Sequence, residues 1–196
     1  MTDRLAFNEE LDALAQAPVG AAVEMDLPDL KVLALEGSGH PGSDPFRQGI
    51  RDLWRVAYAI QQIPRTWTPP GYEDFAMPPT EVDFESAKRD CPWVMFFPQP
   101  SFVTHEVLER VYSELADKGK PVEGDVVLMT RPAHRVVQTT HVGFPDGLPA
   151  SIEVIRGYAR DHDLTLGERQ HEVFIDDPIR IGFETARDLL RYTVID

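Results

Sequence analysis

A chain of 196 residues, 42% of them hydrophobic, is long enough to bury a substantial core. Its 33 acidic residues outweigh 19 basic ones, for a formal charge of −14, and the basic residues form no run. Without a basic patch there is no footprint for phosphates, so direct nucleic-acid binding is not expected. The single cysteine, Cys91, excludes an internal disulfide and a cysteine-built zinc site, and suits a reducing cytosol. No stretch reaches the length of a membrane helix, and residues 1–25 are too acidic for a signal peptide, so a cytoplasmic protein without a membrane partner is expected.

In chain order, residues 1–28 read as a helical arm, Asn8 to Ala17, followed by a connector. "LKVLALEG", Leu30 to Gly37, reads as a buried strand. The loop "SGHPGSDP" ends with Asp44 as helix cap and Pro45 at the first helical position. Phe46, Ile50, Leu53, Trp54, Ala57 and Tyr58 then recur at helical spacing, up to Pro64. "YEDFAMPPTEVDF" is strand-like but interrupted by Pro78-Pro79, which fits an edge or a bulge. "PWVMFFPQP", Pro92 to Pro100, is a strand, and Thr104 caps a helix with Val107, Leu108, Val111 and Leu115 on one face.

The second half repeats this order. "DVVLMT" and "HRVVQTTHVG" are strands joined around Arg131-Pro132; "FPDGLP" opens a helix with Ile152, Ile155 and Ala159 inward; "RQHEVFIDDP" and "LLRYTVI" follow as strands. The expected fold is α+β: two β-α-β-β modules, 29–120 and 121–196, forming one domain after the 1–28 arm, with a mostly antiparallel sheet and helices on one face.

The chemistry-bearing patterns are few. "GSGHPG", Gly37 to Gly42, spells the dinucleotide fingerprint, but Pro41 removes an N–H from the loop and Gln61-Gln62 stand where an acid should meet the ribose. The six histidines show no metal-ligand spacing, and no nucleophile elbow occurs, so neither metal nor cofactor is expected. Carboxylates remain. In "RQHEVFIDDP" alternation sets Glu172, Phe174 and Asp176 on one face and His171, Val173 and Ile175 on the other. Glu81 and Glu172 lie in corresponding second strands, where they would face each other across a groove between the halves. Two carboxylates in an apolar site drive their pKa values apart, one serving as acid and one as base. On pattern alone a solvated sheet face is the better account of them, although Phe174 beside Glu172 weighs against it.

Five ordered stretches resemble the GyrI-like small-molecule-binding domain family in its stand-alone form, related to cyclopropanoid hydrolases. They are "LKVLALEGSGHPGS", "LWRVAYAIQ", "WVMFFPQPSFVT", "HVGFPDGLPASIE" and "HEVFIDDPIR", within Asp26 to Ile195. The resemblance implies a duplicated β-α-β-β fold whose halves enclose a groove for flat, apolar, often cationic molecules. Glu172 would be its central glutamate, Glu81 the second, and Tyr58 and Trp93 its aromatic positions. Two departures stand out: Val82-Asp83-Phe84 where the family has Gly-Leu-Trp, and Phe144-Pro145 where it has Pro-Tyr.

Three functions follow. The first is a binding protein for hydrophobic, aromatic or cationic molecules in xenobiotic or antibiotic resistance. Glu172 would supply charge, with Tyr58, Trp93, Phe174, Phe84, Phe144 and Trp54 as wall candidates; Trp54 fits the core stripe better. The second is a cofactor-independent hydrolase opening the cyclopropane of DNA-alkylating antibiotics of the yatakemycin and CC-1065 type, with Glu172 and Glu81 catalytic. The third, resting on charge and analogy, is an inhibitor acting on a protein partner such as DNA gyrase.

Overall fold

The computed structural model describes residues 6–85, 91–182 and 184–195; the first five residues of the N-terminal arm lie outside this set. After helix α1 (Ala6–Leu14), the elements are β1 (Val23–Leu27), β2 (Leu30–Ser38), α2 (Asp44–Gln62), β3 (Thr80–Phe84), β4 (Pro92–Pro98) and α3 (His105–Asp117). The second half adds β5 (Val127–Arg131), β6 (His134–Val142), α4 (Leu148–Asp161), β7 (Thr165–Leu166), β8 (Gln170–Phe174), α5 (Pro178–Ile181) and β9 (Arg187–Ile195).

The strands pair antiparallel in the order β1-β6-β9-β8-β3-β4-β2-β5, with the short β7 also on β9. This order is symmetric about the β8–β3 pair. β2-α2-β3-β4 mirrors β6-α4-β8-β9, as the duplicated β-α-β-β pattern predicts. β1 and β2 stand near opposite ends of the sheet yet are joined by Pro28-Asp29 alone, and β5 and β6 by Pro132-Ala133 alone. Three Cα steps reach at most roughly 11 Å. The sheet must therefore curl into a half-barrel that brings its ends together, and the Ala133 N–H donates to Asp29 Oδ1 across that seam at 2.7 Å.

Helices α2, α3 and α4 cover one face, as expected. Phe46, Leu53, Val56, Ala57 and Ile60 of α2 are buried against Leu33, Leu35, Met95 and Phe97 in a core that α3 completes with Val107, Leu108, Val111 and Leu115. A smaller core joins Ile155 of α4 to Val137, Leu190 and Tyr192. The N-terminal arm lies on the opposite face, where Gln138 and Arg191 both donate to the Leu14 carbonyl.

Two local expectations are corrected. Ser43, one residue before Asp44, caps α2 by accepting from the Phe46 N–H. β3 is central, paired on both sides, and not an edge; Pro78 and Pro79 precede its first residue, so no ladder N–H is lost. β5 and β6 are consecutive but unpaired, at opposite ends of the sheet.

Trp93 is wedged between α2 and β2. A Cβ at Gly37 would stand 2.2 Å from its ring, and one at Gly49 2.7 Å. Gly37→Ala is expected to lower unfolding stability by about 1–3 kcal/mol through overpacking. Chemical denaturation should show Trp93→Leu recovering part of that loss in the double variant, the non-additivity expected of a direct clash.

Candidate functional site

The pairing register at the sheet centre decides which carboxylate faces which way. Val82 stands opposite Glu172 and Glu81 opposite Val173. Paired residues share a face, so Glu172 joins Thr80, Val82 and Phe174 on the helical side, while Glu81 joins Val173, Asp83 and His171 on the other. Glu81 and Glu172 therefore do not meet across a groove. The symmetry of the two modules makes Val82, not Glu81, the counterpart of Glu172, and a one-residue offset exchanges faces.

On the helical side α2 packs on β2 and β4, and α4 on β6 and β9, leaving the Thr80 end of β3 and the Glu172–Phe174 end of β8 open between them. Here lies a cavity of about 810 Å³, with residues of both halves in its wall. Trp54, Met77, Pro79, Leu148 and Phe174 supply apolar surface; Glu172, Asp176, Asp177, Asp188 and Arg180 supply charge. The indole N–H of Trp54 donates to Thr80 Oγ1 at 3.2 Å and its ring meets Phe97 edge-on, which fixes the plane it presents. His141 holds the loop into α4, bonding Ser151 Oγ through Nδ1 at 2.9 Å and the Phe144 carbonyl through Nε2 at 3.1 Å.

Glu172 is 8% exposed. Its only hydrogen bond among the described residues comes from the Gln170 side-chain amide, whose oxygen accepts from the Tyr192 hydroxyl at 3.2 Å. No cation lies within ion-pair distance of it among these residues. Burial pushes its carboxyl up to about 7; the Gln170 bond opposes this and the charge of Asp188 adds to it. Asp188, diagonally across the β8–β9 pair, is raised to about 6, chiefly by burial, with His141 opposing and Asp176 adding. Asp176 differs: Arg187 grips it through Nε at 2.7 Å and Nη2 at 3.1 Å and lowers its pKa.

On the other face Glu81 is 5% exposed but fully compensated. His171 Nε2 is 2.9 Å from its Oε2, Arg131 3.7 Å and Arg191 4.0 Å, and Arg131 also reaches both oxygens of Asp83 at 3.2 Å. Burial alone would raise Glu81; the His171 bond and the charges of His171, Arg191 and Arg131 outweigh it and bring it to about 2. Glu81 borders a second cavity of only about 110 Å³, beneath α1.

The remaining wall candidates separate as follows. Phe174 and Trp54 line the large cavity, so Trp54 is not plain core; it is 42% exposed. Trp93 and Phe84 are buried around Phe46 in the main core, away from the cavity. Tyr58, one turn beyond Trp54, is 52% exposed, and Phe144 is 50% exposed at the loop before α4; neither is in the cavity wall. Asp188 and Thr80 escaped the sequence reading. Alternation in "RDLLRYTVI" sets Asp188 with Leu190 and Tyr192, but a strand begun at Leu189 omits it. Among the described residues no group of three or more His, Cys, Asp or Glu is placed to hold a metal ion, and no helix is long and apolar enough to cross a membrane.

No protein-family model and no curated protein matches the chain. Solved structures do. A hydrolase from Listeria innocua is similar at 25% identity with a TM-score of 0.87, over 96% of this chain and 98% of that one. An uncharacterized conserved protein from Listeria innocua is similar at 26% identity and TM-score 0.88 over the same shares. The C-terminal domain of EcmrR shares the fold at 12% identity, with TM-score 0.57 over 89% of this chain and 97% of that one. These similarities are consistent with a GyrI-like fold.

The two carboxylates make opposite contributions to stability. The raised Glu172 holds a proton in the folded state that the unfolded state releases above its ordinary pKa of 4.5, so its contribution falls as pH rises from 4.5 to about 7. Glu172→Gln is expected to stabilise the protein by about 2–3 kcal/mol at pH 8 relative to its effect at pH 4.5, read from thermal unfolding at the two pH values. Glu81→Gln leaves buried Arg191 without its carboxylate, while Arg131 keeps Asp83, and should destabilise by about 3 kcal/mol at pH 7. The lowered pKa of Glu81 makes its contribution fade as pH falls from 4.5 towards 2, and denaturation across that range should show the wild-type advantage shrinking.

Proposed function

We propose that the chain binds flat, apolar, cationic small molecules in the cavity between its halves, in xenobiotic or antibiotic resistance. The observation that carries this reading is Glu172: a buried carboxylate with no counter-charge among the described residues, set in a largely apolar wall. Ionising it there is costly, as its raised pKa records. A ligand cation offsets that cost, and the faces of Trp54 and Phe174 attract the same charge through their ring quadrupoles. The volume suits a drug-sized molecule.

The similarity to a hydrolase over nearly its whole length favours a second reading, hydrolysis in the same cavity. For a cyclopropane-bearing alkylator, ionised Glu172 would take a proton from water as its oxygen bonds to the strained ring carbon. As that bond forms the ring C–C bond breaks, and its electron pair passes to the conjugated carbonyl, which gains a proton and becomes a phenol. Asp188, on the cavity side of the sheet, would take the place beside Glu172 that the duplicated pattern offers to Glu81.

Calorimetric titration with N-methylacridinium, a permanent planar cation, tests the binding reading. The wild-type affinity should rise about tenfold from pH 6 to pH 8 as Glu172 ionises, and Glu172→Gln should bind weakly with no such rise. Equal affinity at both pH values, or undiminished binding by the variant, overturns it. Incubation with a cyclopropane-bearing alkylator addresses hydrolysis: ring-opened product should be lost in Glu172→Gln and persist in Glu81→Gln. Absence of product from the wild type leaves binding alone.

A further inference from the structure

The cavity holds a second carboxylate whose charge nothing in the described protein neutralises. Asp188 lines it from β9, opposite Phe174 in the β8–β9 pairing, while Glu172 stands opposite Leu190. The two are thus diagonal neighbours on one face, a spacing of about 7–8 Å. Phe174 lies between them along the face, two residues from Glu172 and directly across from Asp188.

The other charged groups lining the cavity stand differently, and Asp177 has an interaction of its own. Asp176 is bound to Arg187 through two side-chain bonds, which removes both from the cavity's charge balance. His141, across the β6–β9 pair, is engaged at both ring nitrogens by Ser151 and the Phe144 carbonyl. Arg180 of α5 also borders the cavity but forms no ion pair with Glu172 or Asp188 among the described residues. A singly charged ligand on Glu172 would leave Asp188 facing it unmatched. A ligand with two cationic centres at the diagonal spacing would meet both carboxylates while its flat body lies on Phe174 and Trp54.

We infer that Asp188 is a specificity residue and that the preferred ligand class is flat aromatic dications. The inference rests on the cavity being a cation site. It is tested with two probes of nearly the same shape: methyl viologen, whose two charged nitrogens suit that spacing, and N-methyl-4-phenylpyridinium, which carries one charge.

At pH 8 and fixed salt, wild type should bind the dication at least about tenfold more tightly. Asp188→Asn should bring the ratio of the two affinities to within about threefold of one, Asp188→Glu should retain the preference, and Glu172→Gln should weaken both probes. Circular dichroism establishes that each variant is folded, and a misfolded Asp188→Asn leaves the wild-type ratio and Asp188→Glu to decide. If wild type shows no preference, or Asp188→Asn keeps it, the inference falls, while weakened binding of the monocation by Glu172→Gln still upholds the cation site. If neither probe binds, both fall.

Discussion

The antiparallel pairing of β3 with β8 is the constraint on which the rest depends. It lies at the centre of the curled sheet and joins the two halves. Its register places Glu172 opposite Val82 and Glu81 opposite Val173. Because side chains alternate with a period of two, this single choice sends one glutamate to the helical side and the other to the arm side. The helices leave the adjoining ends of β3 and β8 open, so what β8 presents there becomes cavity wall. Position 172 presents a carboxylate.

Two buried glutamates on neighbouring strands thus have opposite electrostatic surroundings. Glu81 is surrounded by Arg131, Arg191 and His171, and its charge is a structural component. Arg191 also reaches the Leu14 carbonyl, so the same group of charges anchors the N-terminal arm. Among the described residues Glu172 receives one amide bond and no counter-ion. Removing a partner from the first group exposes uncompensated buried charge; removing the second carboxylate relieves it. A buried charge that costs stability is the kind a ligand can exploit, because the cost is already met before the ligand arrives.

Much of the fold was legible because its elements carry strong local signals. Periodicity marks α2 and α3, and Thr104 marks the start of α3. The alternation of "QHEVF" marks β8, and Glu172, Phe174 and Asp176 all border the cavity. What failed was register. Position within a strand is visible in a sequence, but which residue of one strand meets which of another is set by cross-strand packing. Glu81 and Glu172 look equivalent only until the pairing is known. The aromatics failed for a related reason. Trp93 and Trp54 are equally apolar as letters, yet two glycines admit Trp93 to the core while α2 turns Trp54 outward, against the cavity.

The sheet's curl completes the site. Two-residue links join β1 to β2 and β5 to β6, and they force the ends of the sheet together. A flat sheet of this width would lay α2 and α4 on a common plane; a curled one inclines them about the central pair. The gap between them is thereby given walls from both halves: Trp54 and Pro79 from one, Leu148, Phe174 and Asp188 from the other. An internal duplication would ordinarily yield a symmetric pocket, but Val82 on one central strand and Glu172 on the other make this one electrically lopsided. Glu172 and Asp188, which form no ion pair among the described residues, come from the second half, whereas the indole comes from the first. A flat cation bound there, as proposed, would take a preferred orientation for that reason: charge toward β8 and β9, ring toward α2.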